Sequence, residues 1–346
     1  MSSKEKIKVQ SSPLTSFLNY LKENPIVDLV AVVVIFMCFF KENFFSWSNF
    51  NNIAGNTAIR FLIALGVSGC LITKGTDLSA GRQAGLAACI TGVLMQRADA
   101  TGKVFPNLPE MNMLVVLAIV LVIGALIGIG NGLIISKLNV PPFIATLGTQ
   151  TIVYGAALIF TDAKPIGSFQ KVYSDFVSGA FFRSADRDGF QGISYLLLIA
   201  IAAGEFFWFL YNKTTHGKYM YAIGGNESAA EVSGVNTTRS KILIYMTAGI
   251  MYALAGYLMA GKAGGATSSL GQGYELEAIA GCTIGGVSTT GGIGRVGGIL
   301  IGVLVFELLK VILQFLGVNP YYNNIVQGLV IVVAVALDIR KYVKKK

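Results

Sequence analysis

Long apolar stretches recur along this chain, separated by short polar turns, and they constrain the fold more than any other feature. A helix needs roughly 20 predominantly apolar residues to cross the hydrocarbon of a bilayer. Ten segments meet or approach that requirement: 26–40, 53–73, 78–95, 113–135, 142–160, 192–211, 242–261, 275–290, 296–316 and 323–339. Backbone polar groups inside lipid must be satisfied within the segment, so such stretches read as helices. The expected fold is therefore all-α, a polytopic membrane protein with about ten transmembrane helices. The third and eighth are short or glycine-interrupted, so some spans are expected to be broken. Composition agrees: charged residues are 13% and hydrophobic ones 53%, where a soluble domain carries about 25% charged residues. Glycine, at 41 residues, suits helices that approach closely within a bilayer.

Basic residues set the expected orientation. Lys4, Lys6, Lys8 and Lys22 precede the first span, and Arg340, Lys341, Lys344, Lys345 and Lys346 follow the last. The positive-inside rule places both termini in the cytoplasm, which needs an even number of spans. Three parts follow: a cytoplasmic N-terminal segment 1–25, one transmembrane domain 26–340 and a basic cytoplasmic tail 341–346. With ten spans the polar stretch 212–241 is cytoplasmic, adding Lys213, Lys218, Arg239 and Lys241 to that side. The loop 161–191 falls outside, where Lys164, Lys171, Arg183 and Arg187 are balanced by Asp162, Asp175, Asp186 and Asp188. The formal charge of +9 is thus a topology signal. A nucleic-acid partner would need a soluble basic face with stacking aromatics, which the pattern lacks. No small-residue cleavage site follows the first apolar run, so it reads as a retained span.

The polar island at 212–241 contains a short helix of its own. Asn226 is a good N-cap, Glu227 lies in the first turn, and Gly234 is placed to end the helix after Ala229, Ala230, Glu231 and Ser233. About two turns are not stable alone in water, so the rest of the chain or a partner must hold them.

Inside the spans, Gly75-Thr76-Asp77-Leu78-Ser79-Ala80-Gly81 brings an acid to a membrane boundary. Carboxylates there cap, pair or line water, and both a cap for the third span and a wall of a transport pathway fit Asp77. Gly273-Tyr274-Glu275-Leu276-Glu277-Ala278 echoes it as G-x-[acid]-L-x-A, in the manner of inverted repeats. Thr146 and Gly148, within Thr146-Leu147-Gly148-Thr149, fit helix packing or a pore face equally. The glycine-rich 285–298 suits a broken helix, and its G-x-G-x-x-G match lacks the strand–turn–helix that would give it meaning. The spacings Gly124/Gly128/Gly132 and Gly294/Gly298/Gly302 suit helix–helix contact. Intramembrane charges are expected at Asp28, Arg60, Arg82, Glu205, Glu307 and Lys310, with Glu205 and Glu307 deepest. Paired or snorkelling charges fit them, as would a proton relay in an ion-coupled secondary transporter.

Chemistry within the chain is limited. No G-x-x-x-x-G-K-[ST] loop occurs, so nucleotide is not hydrolysed by that route. His216 is the single histidine, which excludes a histidine dyad, and Cys38, Cys70, Cys89 and Cys282 have no metal-ligand spacing. No cofactor or metal is expected, and the chain reads as no enzyme.

Taken together, GTDLSAGRQAGLAA (75–88), NVPPFIATLGTQTIVYG (139–155), YAIGGNESAAEVSGVN (221–236), YELEAIAGCTIGGVS (274–288) and GVNPYYNNIVQG (317–328) resemble permease subunits of bacterial ABC importers for monosaccharides. The resemblance spans roughly 14–343 and lies in the ribose, xylose and galactose branch. Thr76, Ala80 and Arg82-Gln83 bring it nearest the galactose/methyl-galactoside type, because ribose-type relatives more often read GGIDLSVG. The resemblance implies a homodimer in the bacterial inner membrane, fed by an extracytoplasmic galactose-type sugar-binding protein and driven by a separate cytoplasmic ABC ATPase. It also implies that Asn226, Glu227, Ala229, Ala230, Glu231, Ser233 and Gly234 form the coupling helix that docks on the ATPase. The E-A-A-x-x-x-G pattern of other importers is incomplete here, though Ala229-Ala230 and Gly234 remain. Asp77, Thr146 and Gly148 become candidates for the transport pathway. The alternatives are the same machine carrying ribose, xylose or a nucleoside, and a secondary transporter.

Overall fold

The computed structural model describes residues 25–182 and 192–343. The terminal lysines at 4, 6, 8, 22 and 344–346, with Arg183, Asp186, Arg187 and Asp188, lie outside the described residues. Thirteen helices are described: α1 (Pro25–Phe40), α2 (Trp47–Ile72), α3 (Ala80–Leu94), α4 (Met113–Lys137), α5 (Pro142–Thr161), α6 (Lys171–Val177), α7 (Tyr195–Lys213), α8 (Thr215–Gly225), α9 (Glu227–Val232), α10 (Thr237–Ala263), α11 (Tyr274–Ile284), α12 (Val296–Phe315) and α13 (Pro320–Val343). A two-stranded antiparallel hairpin, β1 (Ala180–Phe181) with β2 (Ile193–Ser194), is the sole sheet among the described residues.

Each of the ten expected spans is a helix, and six of them (α2, α4, α5, α7, α10 and α12) are long and apolar enough to cross a membrane by themselves. The short ones differ in kind. α3 has 15 residues and α11 only 11, so at 1.5 Å per residue they rise roughly 22 and 16 Å, well short of the roughly 30 Å of hydrocarbon. Non-helical chain precedes both. Residues 75–79 run without helix into α3, and 264–273 leads into α11. The eighth span was expected to continue to 290. It stops at Ile284 because Gly285 closes the last turn and Gly286 takes φ +85°, a left-handed conformation.

The two halves of the chain interlock. The long helix α10 packs on α2, α3 and α4, while the long helix α2 packs on α10, α11 and α12. Each long helix thus holds the interrupted helix of the other half. α2 and α10 run antiparallel, Gly55 lying against Lys262 and Gly69 against Ile244, as an inverted repeat requires. The echo between 75–80 and 273–278 therefore has a structural counterpart. The two motifs also meet: a Cβ on Gly81 would collide with Glu275 and the Gly271 carbonyl.

Both glycine ladders are contact surfaces, as their spacing suggests. Side chains at Gly124, Gly128 and Gly132 of α4 would strike Gly249, Tyr245 and Ile242 of α10. Gly298 and Gly302 of α12 likewise face Gly285 and Gly281 at the end of α11 and just beyond it, and Gly294, before α12, faces Ile72.

Candidate functional site

The extended stretch before α3 forms the first buried polar centre. Asp77 is 1% exposed, and its Oδ1 accepts the Ser79 backbone N–H at 2.9 Å and the Ser79 hydroxyl at 2.5 Å. Its Oδ2 accepts the Tyr252 hydroxyl of α10 at 3.2 Å. Ser79 Oγ also accepts from Gln83 Nε2 at 2.8 Å and Asn131 Nδ2 at 3.2 Å, and Asn131 Oδ1 accepts the Thr149 hydroxyl at 2.5 Å. The web ties α3, α4, α5 and α10 to one non-helical segment. Thr146 belongs to it: its hydroxyl accepts the Leu78 N–H at 3.1 Å and lies 3.1 Å from the Thr76 carbonyl oxygen. A β-hydroxyl on α5 therefore supplies a partner that the broken helix cannot. Ser79 stands at the N-cap of α3 but makes no side-chain cap bond. Gly148 is elsewhere, exposed on α5, with open space where a side chain would go.

A second centre consists of charges. Arg60 of α2 pairs with Glu277 of α11 at 2.8 Å and with Glu307 of α12 at 3.0 Å, and Lys310 reaches Glu277 at 2.5 Å. Asn56 Nδ2 donates to Glu307 at 2.8 Å, and the Arg60 guanidinium lies 4.8 Å from the Tyr274 ring centre. Two acids balance two bases, which is how charge persists in a low-dielectric interior. Glu205, expected among the deepest charges, is instead exposed on the outer face of α7. It shares no cluster with Glu307, so the two do not form a relay in this arrangement.

The island folds largely as its sequence suggests. Asn226 Oδ1 caps α9 by accepting the Ala229 N–H at 3.1 Å. Gly234, at φ +85°, ends it by donating to the Glu231 carbonyl at 2.9 Å. Glu227 pairs with Lys241 at 2.5 Å, and Glu231 accepts the Thr237 hydroxyl at 2.6 Å. Ala230 is buried against the chain itself, while Ser228, Ala229, Ser233 and Gly234 are exposed and Val232 is 91% exposed. A small, capped helix thus presents an unpaired apolar residue outward. The glycine-rich turn shares this face of the molecule: the Tyr221 hydroxyl donates to the Gly294 carbonyl at 2.8 Å, and the Gly292 N–H to Ile72 O at 2.8 Å.

Residues 49–335 match a family described as "Branched-chain amino acid transport system / permease component". The chain belongs to this permease family. It is 46% identical over 334 residues to the galactose/methyl galactoside import permease protein MglC of Escherichia coli strain K12, covering 96% of this chain and 98% of that one. MglC of Haemophilus influenzae is 45% identical over 329 residues, covering 94% and 96%. The ribose import permease protein RbsC of Bacillus subtilis strain 168 is 38% identical over 323 residues, covering 92% and 93%. No solved structure matches.

Several residues that position the permease's buried centres were not singled out from sequence. Tyr252, Asn131 and Glu277 lie 175, 52 and 217 positions from the partners they bind. The acid-containing echo at 273–278 was the one local signal that pointed to Glu277.

Proposed function

We propose that this permease carries galactose or methyl galactoside into a bacterial cell as the membrane subunit of an ATP-driven importer. The observation that carries the reading is the 46% identity to the E. coli MglC over nearly the full length of both chains, against 38% for the B. subtilis RbsC. In this reading 26–340 is one transmembrane domain of a homodimer in the cytoplasmic membrane. Both termini and the loop 212–241 lie inside, the loop 161–191 lies outside, and 341–346 is a basic tail. An extracytoplasmic binding protein delivers the sugar, and a separate ABC ATPase drives the cycle. ATP binding draws the ATPase units together and pulls on Asn226–Gly234, so the permease switches between two states that the partner's ligand biases. Asp77 and Thr146 sit beside the pathway in this reading, and Gly148 lies on its wall.

Docking is supported by the capped helix whose exposed side carries Ala229, Val232 and Ser233. Gly234→Pro tests it, because proline cannot adopt the positive φ that Gly234 has, and it removes the N–H given to Glu231. Co-purification with the ATPase is expected to be lost. Retained association would overturn the docking assignment. Calorimetry of the cognate binding protein against a sugar panel tests the cargo: heat with galactose is expected, and heat with ribose alone would favour the RbsC-like reading. An ion-coupled carrier would take up sugar in vesicles without any ATPase and stop when the ion gradient collapses.

A further inference from the structure

On the face that carries the island, a cleft of about 220 Å³ opens where α2, α4, α5 and α10 end or begin. Thr73, Lys74, Asn139, Glu227, Lys241 and Tyr245 line it, and the Pro141–Pro142 turn forms an apolar wall. It is smaller than the roughly 300–1,000 Å³ typical for drug-sized ligands, so it suits a compact polar group. Two cations face one carboxylate. Lys241 Nζ holds Glu227 at 2.5 Å, and Lys74 Nζ donates to a neutral acceptor, the Gly225 carbonyl, at 3.2 Å. At the back of the cleft Tyr245 is 1% exposed, with its hydroxyl turned against Gly75.

We infer that this cleft binds a phosphate-bearing anion, either a soluble phosphate monoester or the phosphate of a lipid headgroup. The donor set suits that chemistry: two ammonium groups against several acceptor oxygens and a negative charge. A cation would meet two lysines, and a neutral polyol would leave the excess charge unmatched. Both sources can reach the cleft, because the ends of membrane-spanning helices lie at the bilayer boundary, where headgroups and soluble ions meet.

The anion and Glu227 compete for Lys241. Glu227 is the first residue of α9, so occupancy releases the anchor of that helix from α10. The consequence for ATPase docking rests on the reading above; the binding itself does not.

The test uses the full-length permease in dodecyl maltoside micelles, which carry no phosphate, titrated with glycerol 3-phosphate and followed by phosphorus NMR line broadening. Saturable binding is expected, weakened about tenfold or more in Lys74→Gln and Lys241→Gln, in line with loss of a charge-assisted hydrogen bond. Glu227→Gln is expected to bind more tightly, because a competing carboxylate is gone. Nanodiscs containing phosphatidylglycerol separate the sources. Loss of the soluble ester's binding there assigns the site to headgroups, and unchanged binding assigns it to the soluble ester. Absence of saturable binding in the phosphate-free micelles, equal binding of uncharged glycerol, or weakening by Glu227→Gln would overturn the inference. None of these readouts involves transport or the ATPase, so failure here leaves the importer reading untouched.

Discussion

Ser79 and Glu277 occupy matching places in the two echoed motifs, and each is the hub of a buried centre, yet the centres are built from different chemistry. Around Ser79 the donors are neutral: a backbone N–H, hydroxyls and amides converge on Ser79 and on the carboxylate of Asp77. Around Glu277 they are charged, with Arg60 and Lys310 facing two acids. The preceding acids differ as well. Asp77 has both oxygens engaged, whereas Glu275 Oε2, pressed against Gly81, has no hydrogen-bond partner. One half therefore holds its interrupted helix with short-range neutral bonds that need close geometry. The other holds it with longer-range attraction that needs charge balance, and the two should fail differently when broken.

The largest effect is expected at Arg60. Arg60→Ala strips Glu277 of one of two cations and leaves Glu307, whose side chain is 3% exposed, hydrogen-bonded to Asn56 with only the more distant Lys262 and Lys310 as cations. Removing one partner of a buried ion pair typically costs about 3–5 kcal/mol. Thermal unfolding of the detergent-purified permease should show a clear drop in Tm, and the double variant Arg60→Ala/Glu307→Gln should recover part of it. A single variant as stable as the parent would mean that water, rather than Arg60, supports these acids.

Intermediate effects belong to the neutral web, and they should depend on shape more than charge. Asp77→Ala leaves the Ser79 N–H, the Ser79 hydroxyl and the Tyr252 hydroxyl without an acceptor, at about 1–3 kcal/mol for each group left unsatisfied. Asp77→Asn keeps an acceptor for Ser79 and can donate to Tyr252, so most of the stability should remain. Thr146→Val preserves shape but orphans the Leu78 N–H, within the same range of about 1–3 kcal/mol. The comparison breaks if Asp77→Asn destabilises as much as Asp77→Ala, because the web would then depend on the charge.

Much of this architecture could be read from the sequence because bilayer thickness imposes a local rule. Ten apolar stretches became ten helices, and Gly75–Ala80 and Gly285–Gly298 marked the places where helix gives way. The island's caps were also local, with Asn226 and Gly234 acting within a few residues. The island's first helix, Thr215–Gly225, and the short Lys171–Val177 helix were missed because neither is apolar enough to stand out. Partner identities were missed for another reason. Nothing near Arg60 reveals that its acids come from α11 and α12, since that pairing exists only once the two halves interlock. Ala230 shows the same limit in miniature. Sequence placed it with Ala229 and Ser233 as a small residue available to a partner, but helical geometry turns it inward.

The smallest effect is expected at Gly148, and it bears on how far the comparison of the halves extends outward. A Cβ there meets nothing within 4 Å, whereas at Gly128 it would strike the Tyr245 carbonyl across the α4–α10 contact. Gly148→Ala should therefore leave single-chain stability unchanged or raise it by up to about 1 kcal/mol, because alanine restricts the unfolded chain and favours helix. Gly128→Ala should lower Tm, since backbone on the facing helix must move. Both variants can be measured side by side in detergent, with mass from light scattering recorded on each. If Gly148→Ala lowers Tm by as much as Gly128→Ala, the outer face of α5 is covered in the assembled permease. A fall in mass with the same variant would identify a second copy of the chain as what covers it.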